Sequence, residues 1–329
     1  MSEVILKIKD LDKVFSSKKT DVRAVNGVSF EVNKGETIGI VGESGCGKTT
    51  LGRCIVNAHK PTKGDIFYKA LDGEEYNLAQ LDKKSLKTLR KEIQMIFQDP
   101  YSSLNPRMTV FDIISEPLKT NFKLSKKEIQ ERVKEMVIKV GLNPSYLMRY
   151  PHAFSGGQRQ RIGIARALVL LPQLIVCDEA VSALDVSVQA QVINLLKDLQ
   201  KEFDLTYIFI SHDLSVVEYI SDKIAVMYLG KVVEYCETDK LFGKPFHPYT
   251  EALLSAMPIA DPDNQLERIP LQGEIPNPGN PPAGCFFHTR CRYCIDKCKI
   301  EVPELIEMES NHLVACHRAS DISLKGIIN

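Results

Sequence analysis

The run Gly42-Glu43-Ser44-Gly45-Cys46-Gly47-Lys48-Thr49 carries the residue types that hold a phosphate. It follows an apolar stretch, Thr37 to Val41, and opens a helical one. Glycines at 42, 45 and 47 let the backbone turn so that successive N–H groups surround a β-phosphate, and the helix starting near Lys48 adds its positive dipole end. Lys48 can then reach the β- and γ-phosphates, and the Thr49 hydroxyl, followed by Thr50, can ligate Mg²⁺. A chance glycine-rich turn is the plain alternative, and a Gly-Lys-Thr placed between strand and helix argues against it.

Further signals follow in a fixed order. Gln98 comes after an apolar strand (Ile93 to Phe97), then Phe154-Ser155-Gly156-Gly157-Gln158, then Leu174-Ile175-Val176-Cys177-Asp178-Glu179. Ser182-Ala183-Leu184-Asp185 comes next, and His212 follows the strand Tyr207 to Ile210. Taken singly, each reads equally well as an ordinary loop or strand end. Together, over roughly residues 3 to 260, they resemble the ATP-binding cassette family. The resemblance implies an α/β fold: a P-loop nucleotide-binding domain with a RecA-like core, a β-subdomain and a helical subdomain.

Chemistry can be placed on these positions. Asp178 ends a hydrophobic strand, where its carboxylate can hold a water of the Mg²⁺ shell. Glu179, one residue on, points differently and can polarise the water that attacks the γ-phosphorus. The strand is apolar on both faces, as expected for the centre of a parallel sheet whose C-terminal ends bind ligands. By resemblance, Gln98 contacts Mg²⁺ and the attacking water, and His212 contacts the γ-phosphate. Lys48, Gln98, Glu179 and His212 are thus the expected catalytic set.

Ser155, Gly156 and Gly157 precede an arginine-rich helical segment, Gln158 to Leu168, and the two glycines leave N–H groups unobstructed at its positive end. The resemblance makes this a second anion site that faces the γ-phosphate bound on another subunit, so that two cassettes sandwich two ATP molecules. Phe154 stands where that family usually has Leu. Asp185 would lie at the dimer seam. Phe15 matches the aromatic that stacks on adenine, with an edge residue of the β-subdomain as the alternative.

The elements that position these residues read as alternating strand and helix. Strand-like runs at 4 to 8, 28 to 32 and 37 to 41 lead into the phosphate loop, and a β-rich stretch follows the first helix. Thr109 to Leu118 has amphipathic spacing, and Ser125-Lys126-Lys127-Glu128 reads as a capping box opening a helix to Val140 that stops at Gly141. By resemblance this helical insert touches membrane subunits, and Gln98 to Pro106 is the hinge that couples nucleotide state to that contact. Helix Val186 to Glu202, helix Leu214 to Ile220 and strand Lys223 to Met227 complete the core.

Composition narrows the class. The 329 residues, 44% of them hydrophobic, can bury a sizeable core, and 42 basic against 42 acidic residues give no basic stripe for a nucleic-acid partner. Lys7, Lys9 and Asp10 interrupt the first apolar run, so a leader segment is not expected. The longest apolar region, Ile162 to Cys177, is broken by Arg166 and Pro172-Gln173 and falls short of the about 20 residues that span a bilayer. Any membrane path would belong to other subunits.

Beyond about residue 245 prolines and glycines crowd in, predicting a wrapping extension with little regular structure. Five of the nine cysteines gather there, at Cys285, Cys291, Cys294, Cys298 and Cys316. Disulfides are disfavoured in a cytosolic chain, which leaves a metal site as the expectation. Thiolates at Cys285, Cys291, Cys298 and Cys316 could each bind one iron of a 4Fe-4S cluster. Zinc on a subset including Cys291 and Cys294, with His288, His312 or His317 as substitutes, is the alternative.

Here the resemblance narrows. Phe246-His247-Pro248-Tyr249-Thr250, Ile275-Pro276-Asn277-Pro278 and Asn280-Pro281-Pro282-Ala283-Gly284-Cys285 look like the C-terminal region of oligopeptide and dipeptide importer ATPases. Met257-Pro258-Ile259-Ala260-Asp261-Pro262 resembles the F-type subunit more than its D-type partner. The four-cysteine pattern occurs in that family, which favours iron-sulfur over zinc, with Cys294 as an extra. The implied organisation is an ATPase domain at 1–245 and an extension at 246–329. The implied role is ATP hydrolysis energising peptide import, as a heterodimer with a D-type ATPase beneath two membrane permeases on the cytoplasmic face, served by an external peptide-binding protein. Nickel and glutathione importers use similar subunits. Among non-transport cassettes, the DNA-repair type would need a coiled coil for which the interval between Lys48 and Asp178 has no room, and the translation type would carry two motif sets.

Overall fold

The computed structural model describes residues 3–17, 20–99, 101–258 and 268–327. Pro100 of the expected hinge, and Ile259 to Pro262 of the stretch that favours the F-type, lie outside them. The chain forms two units, one from Met1–Leu6, Val32–Glu36 and Phe67–Ile210, the other from Lys7–Glu31, Thr37–Ile66 and Ser211–Asn329.

In the first unit, three strands run parallel: Ile93–Ile96 beside Leu174–Asp178, and that beside Thr206–Ile210. Every residue of Leu174–Asp178 and Thr206–Ile210 is buried, which is why both read as unbroken apolar runs rather than alternating ones. The expected capping box is present: Ser125 Oγ accepts from Glu128 N–H, the Glu128 carboxylate accepts from Ser125 N–H, and helix Lys126–Lys139 follows. Helix Val110–Asn121 starts at Thr109, whose hydroxyl accepts from Asp112 N–H. Helices Gly156–Leu168 and Val186–Phe203 complete this unit's helical complement near the site segments.

In the second unit, strand Thr37–Val41, wholly buried, runs parallel to Lys223–Tyr228. The chain then reverses through Leu229 and Gly230, both at positive φ, so that Lys231–Glu237 returns antiparallel. Strand His312–Val314 adds to the Lys231–Glu237 edge, and Ile306–Glu309 pairs with it in turn.

The C-terminal segment is therefore more regular than its proline content suggests. Besides this hairpin it carries helices Pro248–Ser255 and Asp296–Ile300. What orders it is a buried polar hub. Glu234, fully inaccessible, accepts from Phe246 N–H at 2.6 Å, His247 N–H at 3.1 Å and His312 Nε2 at 2.7 Å, tying three points of the extension to one strand. Phe246, Val314 and Ala319 form an apolar cluster beside it, with Met308 and Cys316 against them. Among the described residues no helix is long and apolar enough to cross a membrane.

His247 gives this region a pH signature. Its Nδ1 accepts from Tyr249 N–H at the start of helix Pro248–Ser255, and burial lowers its pKa from 6.5 to about 3. The unfolded chain therefore binds the extra proton first, so stability is fully present above about pH 6.5 and falls as pH drops toward 3, by at most about 1.4 kcal/mol per pH unit. His247→Asn keeps a good cap without the titration. Denaturant unfolding at pH 7 and pH 5 should show a smaller acid loss in this variant, and equal losses would contradict the assignment.

Candidate active site

The phosphate loop lies in the second unit, and two of its glycines, Gly42 and Gly47, are required by close backbone contacts. A Cβ on Gly42 (φ 149°) would sit 2.2 Å from the Met227 carbonyl oxygen, and one on Gly47 (φ 108°) would sit 2.0 Å from that of Ala24. Gly45 also has positive φ, with open space around it. Helix Lys48–Ile55 starts directly after Gly47, with no side chain capping its first turn. Ser44 and Gly45 are exposed, whereas Cys46 is buried and its thiol is pushed up by desolvation.

Lys48 is only 4% exposed, and its ammonium is held by the loop itself. Nζ donates to the carbonyls of Gly42 at 2.7 Å and Glu43 at 3.0 Å. Thr49 and Thr50 are half-buried in the first helical turn. Phe15 is 40% exposed, edge-on to His59 at 5.4 Å with Lys13 Nζ over its ring, so one aromatic face of a strand remains accessible. His212 is exposed, beside Ser211, whose N–H donates to Ile40 O.

The first unit carries the remaining predicted residues. Asp178 closes the central strand at 2% exposure. Glu179 follows with φ 47°, a left-handed conformation that costs a non-glycine residue about 1–3 kcal/mol and clusters at functional sites. The backbone turn is fixed by Glu179 N–H donating to Ile210 O. Gln98, far away in sequence, donates its Nε2 to the Glu179 carboxylate at 2.7 Å. These two predicted residues thus meet.

Ser155 and Gln158 form a reciprocal capping box at the start of helix Gly156–Leu168, so the Gln158 side chain is engaged with the Ser155 N–H. A Cβ on Gly157 would strike Val188 Cγ1 at 2.3 Å, so glycine there permits close approach to helix Val186–Phe203, which Asp185 caps. The same helix grips the segment after Gln98: the Arg159 guanidinium lies 4.2 Å over the Tyr101 ring, and Arg166 donates to Ser103 O at 2.7 Å.

Residues outside the predicted set also touch the phosphate loop, within the second unit. Glu43 N–H donates to Tyr249 Oη at 2.8 Å, and Arg290 donates to both Glu43 carboxylate oxygens, at 2.6 and 3.1 Å. Tyr228, Tyr249 and Phe287 meet in edge and tilted contacts beneath, with centroids 4.8 to 5.4 Å apart. Tyr249 belongs to the Phe246–Thr250 stretch already singled out. Arg290 had no signal beyond its place before Cys291.

The cysteines behave otherwise than expected. Among the described residues, no three His, Cys, Asp or Glu side chains are grouped to hold a metal ion, so the 4Fe-4S expectation at Cys285, Cys291, Cys298 and Cys316 is overturned, and the zinc alternative with it. Without a metal, burial pushes the Cys285 thiol up to about 11 and Cys291 to about 12, and raises Cys294 and Cys316 too. The histidines are engaged elsewhere: His288 with Cys285 O, His317 with Glu301 O, His312 with Glu234. The segment instead folds on its backbone, with Cys285 N–H donating to Cys298 O and Gly284 fitting where a Cβ would meet that same oxygen at 2.4 Å.

Comparison with known proteins gives these features a family. Residues 25–182 match the ABC transporter family, and residues 233–298 match the oligopeptide/dipeptide transporter C-terminal region. The chain is 54% identical to the oligopeptide transport ATP-binding protein AppF of Bacillus subtilis, across 96% of this chain and 97% of that one. It is 48% identical to the di/tripeptide transport ATP-binding protein DppF of Pseudomonas aeruginosa, across 96% and 98%. A solved ATP-binding cassette, a dimer in a post-hydrolysis state bound to ADP and Pi, matches with TM-score 0.64 and 28% identity over 71% of this chain and 98% of that one. The chain is an ATPase with the P-loop α/β fold, and it belongs to the ATP-binding subunits of the oligopeptide/dipeptide ABC transporter family.

Proposed function

We propose that this chain hydrolyses ATP to energise import of oligopeptides or dipeptides through separate membrane subunits. The observation that carries the catalytic part is the Gln98–Glu179 hydrogen bond at a strained backbone turn ending a buried parallel strand. Glu179 positions and deprotonates the attacking water, and Gln98 orients the Glu179 carboxylate. Lys48 neutralises the β- and γ-phosphates, His212 contacts the γ-phosphate, and Phe15 stacks on adenine. The loop Gly42 to Thr50 wraps the phosphates with backbone N–H groups. Thr49, Gln98 and Asp178, the last through water, offer the oxygen donors that suit Mg²⁺, which supplies neutralisation of phosphate charge when bound.

The chain acts as the F-type subunit, paired with a D-type ATPase. Its ATPase domain is 1–245, and its extension is 246–329, a boundary that falls within the match to the oligopeptide/dipeptide transporter C-terminal region at 233–298. Ser155, Gly156 and Gly157, at the start of helix Gly156–Leu168, serve the nucleotide of the partner ATPase. Two permeases hold the pair at the cytoplasmic face of the membrane, and a peptide-binding protein delivers cargo from outside. The peptide-transport names of relatives at about half identity support the cargo class.

Two measurements test this. Glu179→Gln should keep ATP binding and slow hydrolysis by roughly 10²- to 10⁴-fold in the assembled complex. Near-normal turnover would remove Glu179 from its role. The isolated chain should be a poor ATPase that gains activity with its partner and permeases, and Ser155→Arg should impair the partner's site more than its own. A lone monomer turning over at the full rate of the complex would refute the shared site.

A further inference from the structure

Glu43 sits inside a loop built to hold anions, and its carboxylate opposes the phosphates that the loop is read to bind. The structure shows how that charge is handled. Arg290, from the C-terminal region, makes a two-point contact with Glu43, at 2.6 and 3.1 Å. Its side chain is 5% exposed and that of Glu43 22%, so the pair is not a solvated surface contact of negligible strength. Arg290 is also fixed from other sides: Nε donates to Gln272 O at 3.4 Å, and Nη1 reaches Tyr228 Oη at 3.5 Å. A planar fork with its donors engaged is preorganised, which a lysine would not be. Lys48 does not replace it, since its ammonium is directed to backbone carbonyls of the loop.

We infer that Arg290 is a positioning residue of the nucleotide site, neutralising the Glu43 carboxylate and holding it aside so that the loop presents no uncompensated negative side chain to ATP. This rests on the assignment of Gly42–Thr49 as the ATP phosphate loop. It gives the C-terminal extension a direct part in nucleotide affinity. It also makes a prediction that a merely structural brace would not: deleting the Glu43 charge should cure the loss of Arg290.

The experiment uses the full chain with MgATP in equilibrium titrations at fixed ionic strength, with thermal midpoints recorded in parallel. Arg290→Gln should weaken ATP binding on the order of 10-fold, within the range of couplings between linked sites. In the Arg290→Gln/Glu43→Gln double variant, affinity should return to within about 2-fold of Glu43→Gln alone. Unchanged affinity in Arg290→Gln, or a double variant as weak as Arg290→Gln, would overturn the inference. Should Arg290→Gln fail to fold, Arg290→Lys takes its place, with a smaller loss and the same required recovery. Lys48→Ala separates the two levels. If it binds ATP normally, the phosphate-loop assignment fails, and if it abolishes binding while Arg290→Gln has no effect, only the role of Arg290 fails.

Discussion

Backbone approach at the phosphate loop is the constraint on which the second unit depends. Gly42 and Gly47 bring the loop against the Met227 and Ala24 carbonyls at distances that no other residue tolerates. Once the loop is pressed there, the Lys48 ammonium closes it by gripping two of its carbonyls. The strand that ends at Tyr228, the Leu229-Gly230 turn and the returning strand to Glu237 are then fixed around it. Glu234 carries this order outward, since its carboxylate gathers Phe246, His247 and His312. Loop and extension are thus two ends of one hydrogen-bonded framework, joined again by Tyr249 and Arg290.

The first unit solves a different problem, which is holding a carboxylate in a strained turn. Glu179 adopts a positive φ directly after five buried residues, and its N–H and carboxylate are both engaged. Rigidity behind a reactive group limits its freedom to wander, and a bond from Gln98 limits it further. Because Arg159 and Arg166 clasp the segment after Gln98, the helix that begins at the Ser155 cap is mechanically continuous with it.

The local elements that carry the candidate site residues were legible because short patterns mark them. The Gly-Lys-Thr loop and the apolar strand ending in Asp178-Glu179 are short patterns, and each lies at a strand or helix end as read. The Ser125–Glu128 capping box was legible for the same reason. The Ser155–Gln158 capping box, which puts Gly156 and Gly157 inside the helix, was not read from the sequence. What escaped the sequence depends on distant contacts. Arg290 and Glu43 are separated by 247 positions, and no local spacing announces their pairing. The extension read as irregular because prolines mask a hairpin that is stabilised by a strand edge far upstream. The cysteines misled because spacing reports sequence proximity alone, whereas a metal site needs three or more ligands gathered in space, and no such group exists among the described residues.

The central claim is that ATP hydrolysis on this chain energises peptide import. It is tested most directly by reconstituting the complex in vesicles and following labelled peptide uptake together with phosphate release. The account predicts uptake that requires MgATP on the face bearing this chain, stops with a non-hydrolysable analogue, and rises in step with phosphate release when the peptide-binding protein is loaded. Peptide accumulation that continues unchanged without hydrolysable ATP would contradict it.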